Sequence, residues 1–376
     1  MAVDISPGVV EESSRKDAVP KLRLVNTRGG RIGVVLFIVL VVGLPLNFGD
    51  TYWLGVLNTA GIAGIAAIGL NVLTGYAGQL SLGHAAFVSV GAFVTQYVGG
   101  QLGMPMIVWL PVAGIAAGLV GAVVAPFALR LHGPYLAIVS LALVAIGIYV
   151  ARNIPSVTGG NEGTIVDARA TLGPIDFENL TIGPLAFGRE QGMFILIWSM
   201  VGLFVLLVAN VMRTRSGRAM QAIRDHDMAA EVLGVRMMRT QANAFILSTF
   251  IAGVAGGLLA VNLEYIRPDS FSVALSVQYL AIIVIGGMAS LWGPILGALF
   301  VTMVPVIVDL FADSLPFVQH GGTDGMSATD LSLMLYGLMI VIFLLAEPKG
   351  LIAILRRTRR MIRRSSGRPV AETPSH

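Results

Sequence analysis

The sequence contains no cysteine among its 376 residues. That excludes disulfide staples, thiolate metal sites and cysteine nucleophiles together. Charge is also scarce. Asp, Glu, Lys and Arg make up 12% of the chain, against roughly 25% in a typical soluble domain, too few to cover the surface of a soluble protein of this length. No G-x-x-x-x-G-K-[ST] phosphate loop occurs, so the chain does not bind ATP by the Walker route. No H-E-x-x-H is present, which argues against a membrane metalloprotease. The five histidines (84, 132, 226, 320 and 376) are dispersed, with no pair at a metal-ligand spacing. The sequence therefore offers no catalytic residue, no metal site and no cofactor of its own.

Apolar residues fill the space that charge leaves. They are 55% of the chain, and the mean hydropathy is +0.81. Ile32 to Phe48 and Ile107 to Leu129 carry no charge at all. A hydrocarbon core about 30 Å thick needs about 20 apolar residues per helix, and these stretches approach or meet that length. Residues 1–30 are polar and no A-x-A site follows the first apolar run, so the expectation is a retained span at 31–48 rather than a cleaved signal. The 45 glycines fit close helix approach in lipid, where small residues make the contacts. The expected fold is an all-α, polytopic transmembrane helical bundle. About ten spans are predicted, at 31–48, 52–73, 84–99, 105–129, 134–152, 191–212, 241–263, 277–291, 293–311 and 331–347. The pair flanking Trp292 reads either as two spans or as one broken or re-entrant element.

Lys and Arg set the expected orientation. Six lie in residues 1–31, one at Arg130, six between Arg213 and Arg239, and eight from Lys349 to Arg368. With ten spans all four regions share one side, the cytoplasm. The chain then divides into a basic cytoplasmic tail at 1–30, a transmembrane domain at 31–348 and a second basic cytoplasmic tail at 349–376. Segment 153–190, with two arginines and five acidic residues, is expected outside. The basic run from Arg356 to Arg364 reads as a topology anchor beside anionic headgroups, not as a nucleic-acid site. The expected location is the inner (cytoplasmic) membrane of the cell, crossed several times, with both termini cytoplasmic.

The cytoplasmic segment 213–240 is too charged to span, yet Met220, Ile223, Ala230, Leu233 and Met237 form a stripe at helical spacing. A helix outside the membrane with one apolar stripe buries it either in a partner or against the headgroups. Two polar, glycine-rich interruptions break the apolar sequence. The first runs from Asn71 through Gly75, Gln79, Ser81 and Gly83 to His84, and the second holds Gly286, Gly287 and Ser290. Such groups are costly in hydrocarbon unless they pair or face a wet cavity, and unwound backbone at depth must be buried in protein or line water. Both segments are therefore candidate parts of a translocation pathway, set against glycine-mediated helix packing with the polar side chains bonded across helices.

The segment M-A-A-x-x-x-G at 228–234 resembles the E-A-A-x-x-x-G signature of ABC importer permeases, with Met228 in place of Glu and a carboxylate displaced to Glu231. GYAGQLSLGHAAF at 75–87 resembles the signature of permeases of the high-affinity branched-chain amino acid (leucine/isoleucine/valine) ABC importers. So do GRAMQAIRDHDMAAEVLGV at 217–235, AFILSTFIAGVAGGLLA at 244–260, VIGGMASLWGPILGALF at 284–300 and EPKGL at 347–351, all in the family's order. TGGNEGT at 158–164 is similar to the family's T-x-G-x-x-G stretch, departing at Glu162 and Thr164. The resemblance implies a transport subunit, not an enzyme: the translocation pathway of an importer for branched-chain or related amino acids. It implies a second homologous permease subunit, two cytoplasmic ATPase subunits that use ATP and Mg, and an extracytoplasmic substrate-binding protein. It also implies that Gly217, Arg218, Ile223, Arg224, Met228, Ala229, Ala230, Glu231 and Gly234 form the ATPase coupling element. A urea or short-amide importer and an ion-coupled secondary transporter are the alternatives. The second needs a carboxylate well inside a span, and the sequence shows none.

Overall fold

A computed structural model describes residues 51–130, 134–173, 175–182 and 185–312, with isolated positions at 41, 43, 45, 334, 335, 337, 338, 341 and 351. All of them belong to one compact unit, Val41–His376. Apart from those isolated positions, both expected tails, the spans at 31–48 and 331–347 and the EPKGL segment lie outside the described residues.

The described chain is mostly helical. In order it forms α1 (Thr51–Leu70, continued by a π-helical turn, Asn71–Tyr76), α2 (His84–Thr95, continued by a second π-helical turn, Gln96–Gln101), α3 (Met106–Ala128), α4 (Pro134–Arg152) and the single turn α5 (Pro155–Thr158). After five two-residue strands come α6 (Arg189–Arg213), α7 (Arg215–Asp225), α8 (Asp227–Val232), α9 (Met237–Leu263), a sixth such strand, α10 (Val273–Gly286) and α11 (Gly293–Ala312). Among the described residues, four helices are long and apolar enough to cross a membrane: α1 with its π turn, α3, α6 and α9. The expected spans at 52–73, 105–129, 134–152, 191–212 and 241–263 match α1, α3, α4, α6 and α9 to within a few residues. α10 has 14 residues, a rise of only about 21 Å, and folds back on α11. A Cβ on Gly286 would run into the Gly293 carbonyl, and one on Gly297 into the Ile282 carbonyl. The pair flanking Trp292 is therefore two helices joined by a tight turn at 287–292.

Small residues decide the packing. α9 is the hub, with α1, α2 and α3 against it. Its Ala252–Gly257 stretch is buried, and a Cβ on Gly253 would stand 2.5 Å from the Ala113 carbonyl oxygen and from the Ala117 Cβ. α3 answers with Ala113, Gly114, Ala117, Gly118, Gly121 and Ala125 on its buried face. Ile115, Leu119, Val123 and Phe127 point out. Small residues inward and large apolar residues outward invert the pattern of a soluble helix and suit a helix between protein and lipid. α1, by contrast, is buried on every side from Ala60 to Tyr76.

At the end opposite α7 and α8, the described residues of 153–190 form a cap. Thr164–Ile165 pairs with Tyr265–Ile266, Thr171–Leu172 with Ile175–Asp176, and Thr181–Ile182 with Leu185–Ala186. Side-chain bonds to backbone fasten it to the bundle. Asp167 N donates to Gln96 Oε1 at 3.0 Å and Trp109 Nε1 to the Arg169 carbonyl at 3.2 Å. Beside the cap, the exposed pair Arg152–Asp269 at 2.5 Å joins the end of α4 to the turn at Pro268–Phe271, although pairs so open to water contribute little.

Candidate functional site

Both interruptions fall at the same end of the bundle, and they touch. α1 passes into the π turn at Asn71, where the ladder lengthens: Ala77 N bonds to the Val72 carbonyl and Gln79 N to the Leu73 carbonyl. Such turns often mark functional positions. The Asn71 carboxamide, buried at the turn, reaches the second interruption with both of its ends. Nδ2 donates to the Ser290 carbonyl at 2.9 Å, and Oδ1 accepts from Ala289 N at 2.9 Å. Gly75 makes room for this clamp, since a Cβ there would overlap Asn71 Oδ1 and stand 2.6 Å from Ala289 N. Ser290 closes its own turn by donating to the Gly287 carbonyl and accepting from Gly293 N, the first residue of α11.

The stretch from Gly78 to Gly83 is neither helix nor strand, and its side chains alternate between the chain's interior and its surface. Gln79 and Ser81 turn in, while Leu80 turns out. The Gln79 carbonyl accepts from Thr74 Oγ1 at 2.9 Å, and Leu82 N donates to Ser140 Oγ at 2.8 Å. Gly83 lies against the Ser140 backbone. His84 opens α2, with its Nε2 2.9 Å from the Ala66 carbonyl and its ring edge-on to Tyr279. The first turn of α2 has no cap of its own. Instead Ala85 N donates to Ser276 Oγ on α10 at 3.0 Å, which meets the need of an orphan helix N–H.

All nine pathway candidates (Asn71, Gly75, Gln79, Ser81, Gly83, His84, Gly286, Gly287 and Ser290) are thus buried within the chain. The side chains that leave the two turns are Leu80, Met288 and Trp292. Sequence reasoning passed over these three, and it also passed over Ser140 and Ser276. A single serine in an apolar helix carries no signal until its partner is known.

The segment after α6 forms two helices rather than one. The chain breaks at His226, whose backbone is extended (φ −156°, ψ 97°), and helix restarts with Asp227, whose carboxylate accepts from Met228 N. A carboxylate in a first helical turn meets the free N–H groups and the positive end of the dipole. The break corrects the expected single stripe. Met220, Ile223 and Ala230 are buried against the bundle, but Leu233 is 82% exposed and Met237 half-buried. Gly217 is also internal, wedged against Val211 and Met212 where α6 turns into α7. Of the nine coupling candidates, Gly217, Ile223 and Ala230 therefore face inward. Arg218, Met228, Ala229, Glu231 and Gly234 face outward, and Arg224 lies between the two sets with one hand on the bundle. Met228 and Leu233, joined by Val232 at 88% exposure, make an apolar patch on a segment too charged to sit in lipid. Gly234 follows it at φ +82°, a backbone that favours glycine.

The family described as "Branched-chain amino acid transport system / permease component" matches residues 52–344. The high-affinity branched-chain amino acid transport system permease protein LivM of Escherichia coli is 28% identical over 353 residues, covering 90% of this chain and 79% of its own length. The protein of the same name from Salmonella typhimurium is 29% identical over 305 residues, covering 78% and 68%. The autoinducer 2 import system permease protein LsrC of an Enterobacter species is 32% identical over 135 residues, 34% of this chain and 38% of its own length. No solved structure matches.

Proposed function

The chain belongs to the family of branched-chain amino acid transport permease components, and from that premise we propose that it forms half of the translocation pathway of an ATP-driven importer of branched-chain or related amino acids. Its partners are a second homologous permease, two cytoplasmic ATPase subunits and an extracytoplasmic binding protein. ATP and Mg act on the ATPase. The two LivM proteins, 28% and 29% identical, are branched-chain amino acid permeases by name, whereas a fructose import permease of Bifidobacterium longum that matches 84% of this chain is 25% identical and the autoinducer relative matches a third of it, which favours the amino acid substrate class.

The observation that carries this reading is the convergence at one end of the bundle. Both interrupted hairpins meet there beside α7 and α8, and the exposed patch of Met228, Val232 and Leu233 faces away from the chain. A subunit driven by a separate ATPase needs such a surface next to the elements it moves; a secondary transporter does not. The ATPase buries the patch, and Leu80, Met288 and Trp292 supply pathway or permease–permease contacts while the polar residues behind them hold the turns. Purification of a tagged chain from membranes should bring down a second permease and an ATPase. Vesicles holding the whole assembly should take up leucine, isoleucine or valine only with ATP on the ATPase side and the binding protein on the other. Uptake driven by a proton or sodium gradient without ATP would overturn the proposal.

In this reading the protein has about ten spans in the inner or cytoplasmic membrane, with both termini and 213–240 cytoplasmic and 153–190 outside. The absence of cysteine makes labelling clean. A cysteine at Ser216 should resist an impermeant thiol reagent in intact cells, and one at Asn161, on the exposed surface of the cap, should react. The reverse pattern would invert the topology.

A further inference from the structure

Arg224 stands at the C-terminal end of α7, and its guanidinium makes contacts of two kinds. Nε and Nη2 bond to Asp225 Oδ1 at 3.0 and 2.8 Å, which fixes the plane of the group. Nη1 then donates to the Gly75 carbonyl at 3.0 Å. Gly75 lies in the last turn of the long α1 helix, where carbonyls run out of helical partners and a cation complements the negative end of the dipole. The stem of Arg224 is fitted as closely as its head. Gly78 adopts φ +72°, and a Cβ there would lie 3.0 Å from Arg224 Cγ and 3.3 Å from its Cα. Only glycine meets both demands, the left-handed backbone and the missing side chain.

The same turn is joined to the second interruption through Asn71, which holds Ala289 N and the Ser290 carbonyl, with Gly75 leaving the space for it. A continuous set of bonds therefore runs from α7 through the 71–78 turn to the 287–290 turn between α10 and α11. We propose that Arg224 is a positioning residue that latches the docking segment to the end of α1, so that displacement of α7 and α8 is passed to both interrupted hairpins as one unit. This rests on the importer reading above and adds to it. The resemblance places Arg224 in the ATPase coupling element, and its guanidinium, partly exposed, also bonds the end of the chain's own α1.

The test uses the full assembly of both permeases, the ATPases and the binding protein in vesicles, and reads substrate moved per ATP hydrolysed. Arg224→Ala should still capture the ATPase in wild-type proportion, because Met228, Val232 and Leu233 are untouched, while the transport-to-hydrolysis ratio falls at least tenfold. Arg224→Lys keeps a cationic donor but not the fork that also holds Asp225, and should recover part of the ratio. If Arg224→Ala does not accumulate in the membrane, Arg224→Met keeps an apolar stem on Gly78, removes only the charged head and carries the same expectation. Hydrogen exchange gives a second readout: ATPase binding should change protection at 286–292 in the wild type and fail to do so in the alanine or methionine variant. Loss of ATPase capture with the guanidinium would make Arg224 a docking contact and overturn the latch, as would a wild-type ratio in the variant. If the wild-type chain captures no ATPase at all, the importer reading falls first, and the latch with it.

Discussion

Aspartate at both Val232 and Leu233 is expected to abolish ATPase capture and ATP-driven uptake while the chain still reaches the membrane in normal amount. Both side chains are more than four-fifths exposed in the isolated chain, and surface changes of that kind usually alter stability by no more than about 0.5 kcal/mol. In a dry contact with a partner the balance reverses. Burying a Val or Leu side chain contributes about 1.5–3 kcal/mol each. Removing both, and leaving two carboxylates to be desolvated without partners, should weaken association well over a hundredfold. Co-purification and uptake measured on the same membranes check this. If α8 instead lies on headgroups, ATPase capture and uptake survive the double change, and the docking assignment is wrong.

The same experiment would be poorly posed at Ala230 or Gly234, the two positions that the E-A-A-x-x-x-G resemblance brings forward. Ala230 is 1% exposed and packed against the chain itself, so a carboxylate there damages folding before it reaches any partner. Gly234 has open space around it, but its φ of +82° makes every side chain strained. A variant with a docking defect at either position would have two explanations.

This difference shows what the sequence could carry. Long helices such as α3, α6 and α9 were legible because an uninterrupted apolar run about 20 residues long has few other outcomes. The two interruptions were legible for the opposite reason, since Asn, Gln, Ser, His and clustered Gly are out of place in such runs. The periodicity of 213–240 misled because a stripe of helical spacing assumes one axis. The extended backbone at His226 changes the axis, so Leu233 emerges on the outside while Met220 and Ile223 remain inside. What the sequence could not hold was pairing. The Asn71 clamp joins residues 218 and 219 positions apart, and Arg224 meets a carbonyl 149 positions away. A backbone carbonyl has no residue identity to read, so neither partner leaves a mark in composition or spacing. The polar residues of the first interruption are all buried within the chain, with Leu80 reaching outward between Gln79 and Ser81.

The Asn71 clamp carries the second large expectation. Leucine is close to asparagine in volume and cannot hydrogen-bond, so Asn71→Leu leaves Ala289 N and the Ser290 carbonyl unpaired in a buried joint. Each unsatisfied group costs about 1–3 kcal/mol, about 2–6 kcal/mol together. That is enough to loosen the 287–290 turn from the end of α1, and uptake by the assembled transporter should fall more than tenfold, with a lower melting temperature for the purified chain. Asn71→Asp should fare no better. Its carboxylate still accepts from Ala289 N, but it turns a second oxygen toward the Ser290 carbonyl and buries a charge without a cation. Asn153→Leu is the matched control. Asn153 is exposed and bonds only locally, to the Tyr149 carbonyl at 2.8 Å, so its loss should shift stability by no more than about 0.5 kcal/mol and leave uptake near the wild-type rate. Melting curves and uptake for the three variants decide the matter. Should Asn71→Leu behave like Asn153→Leu in both, the two interruptions are held together by helix packing alone, and the bonds between them carry no share of the coupling.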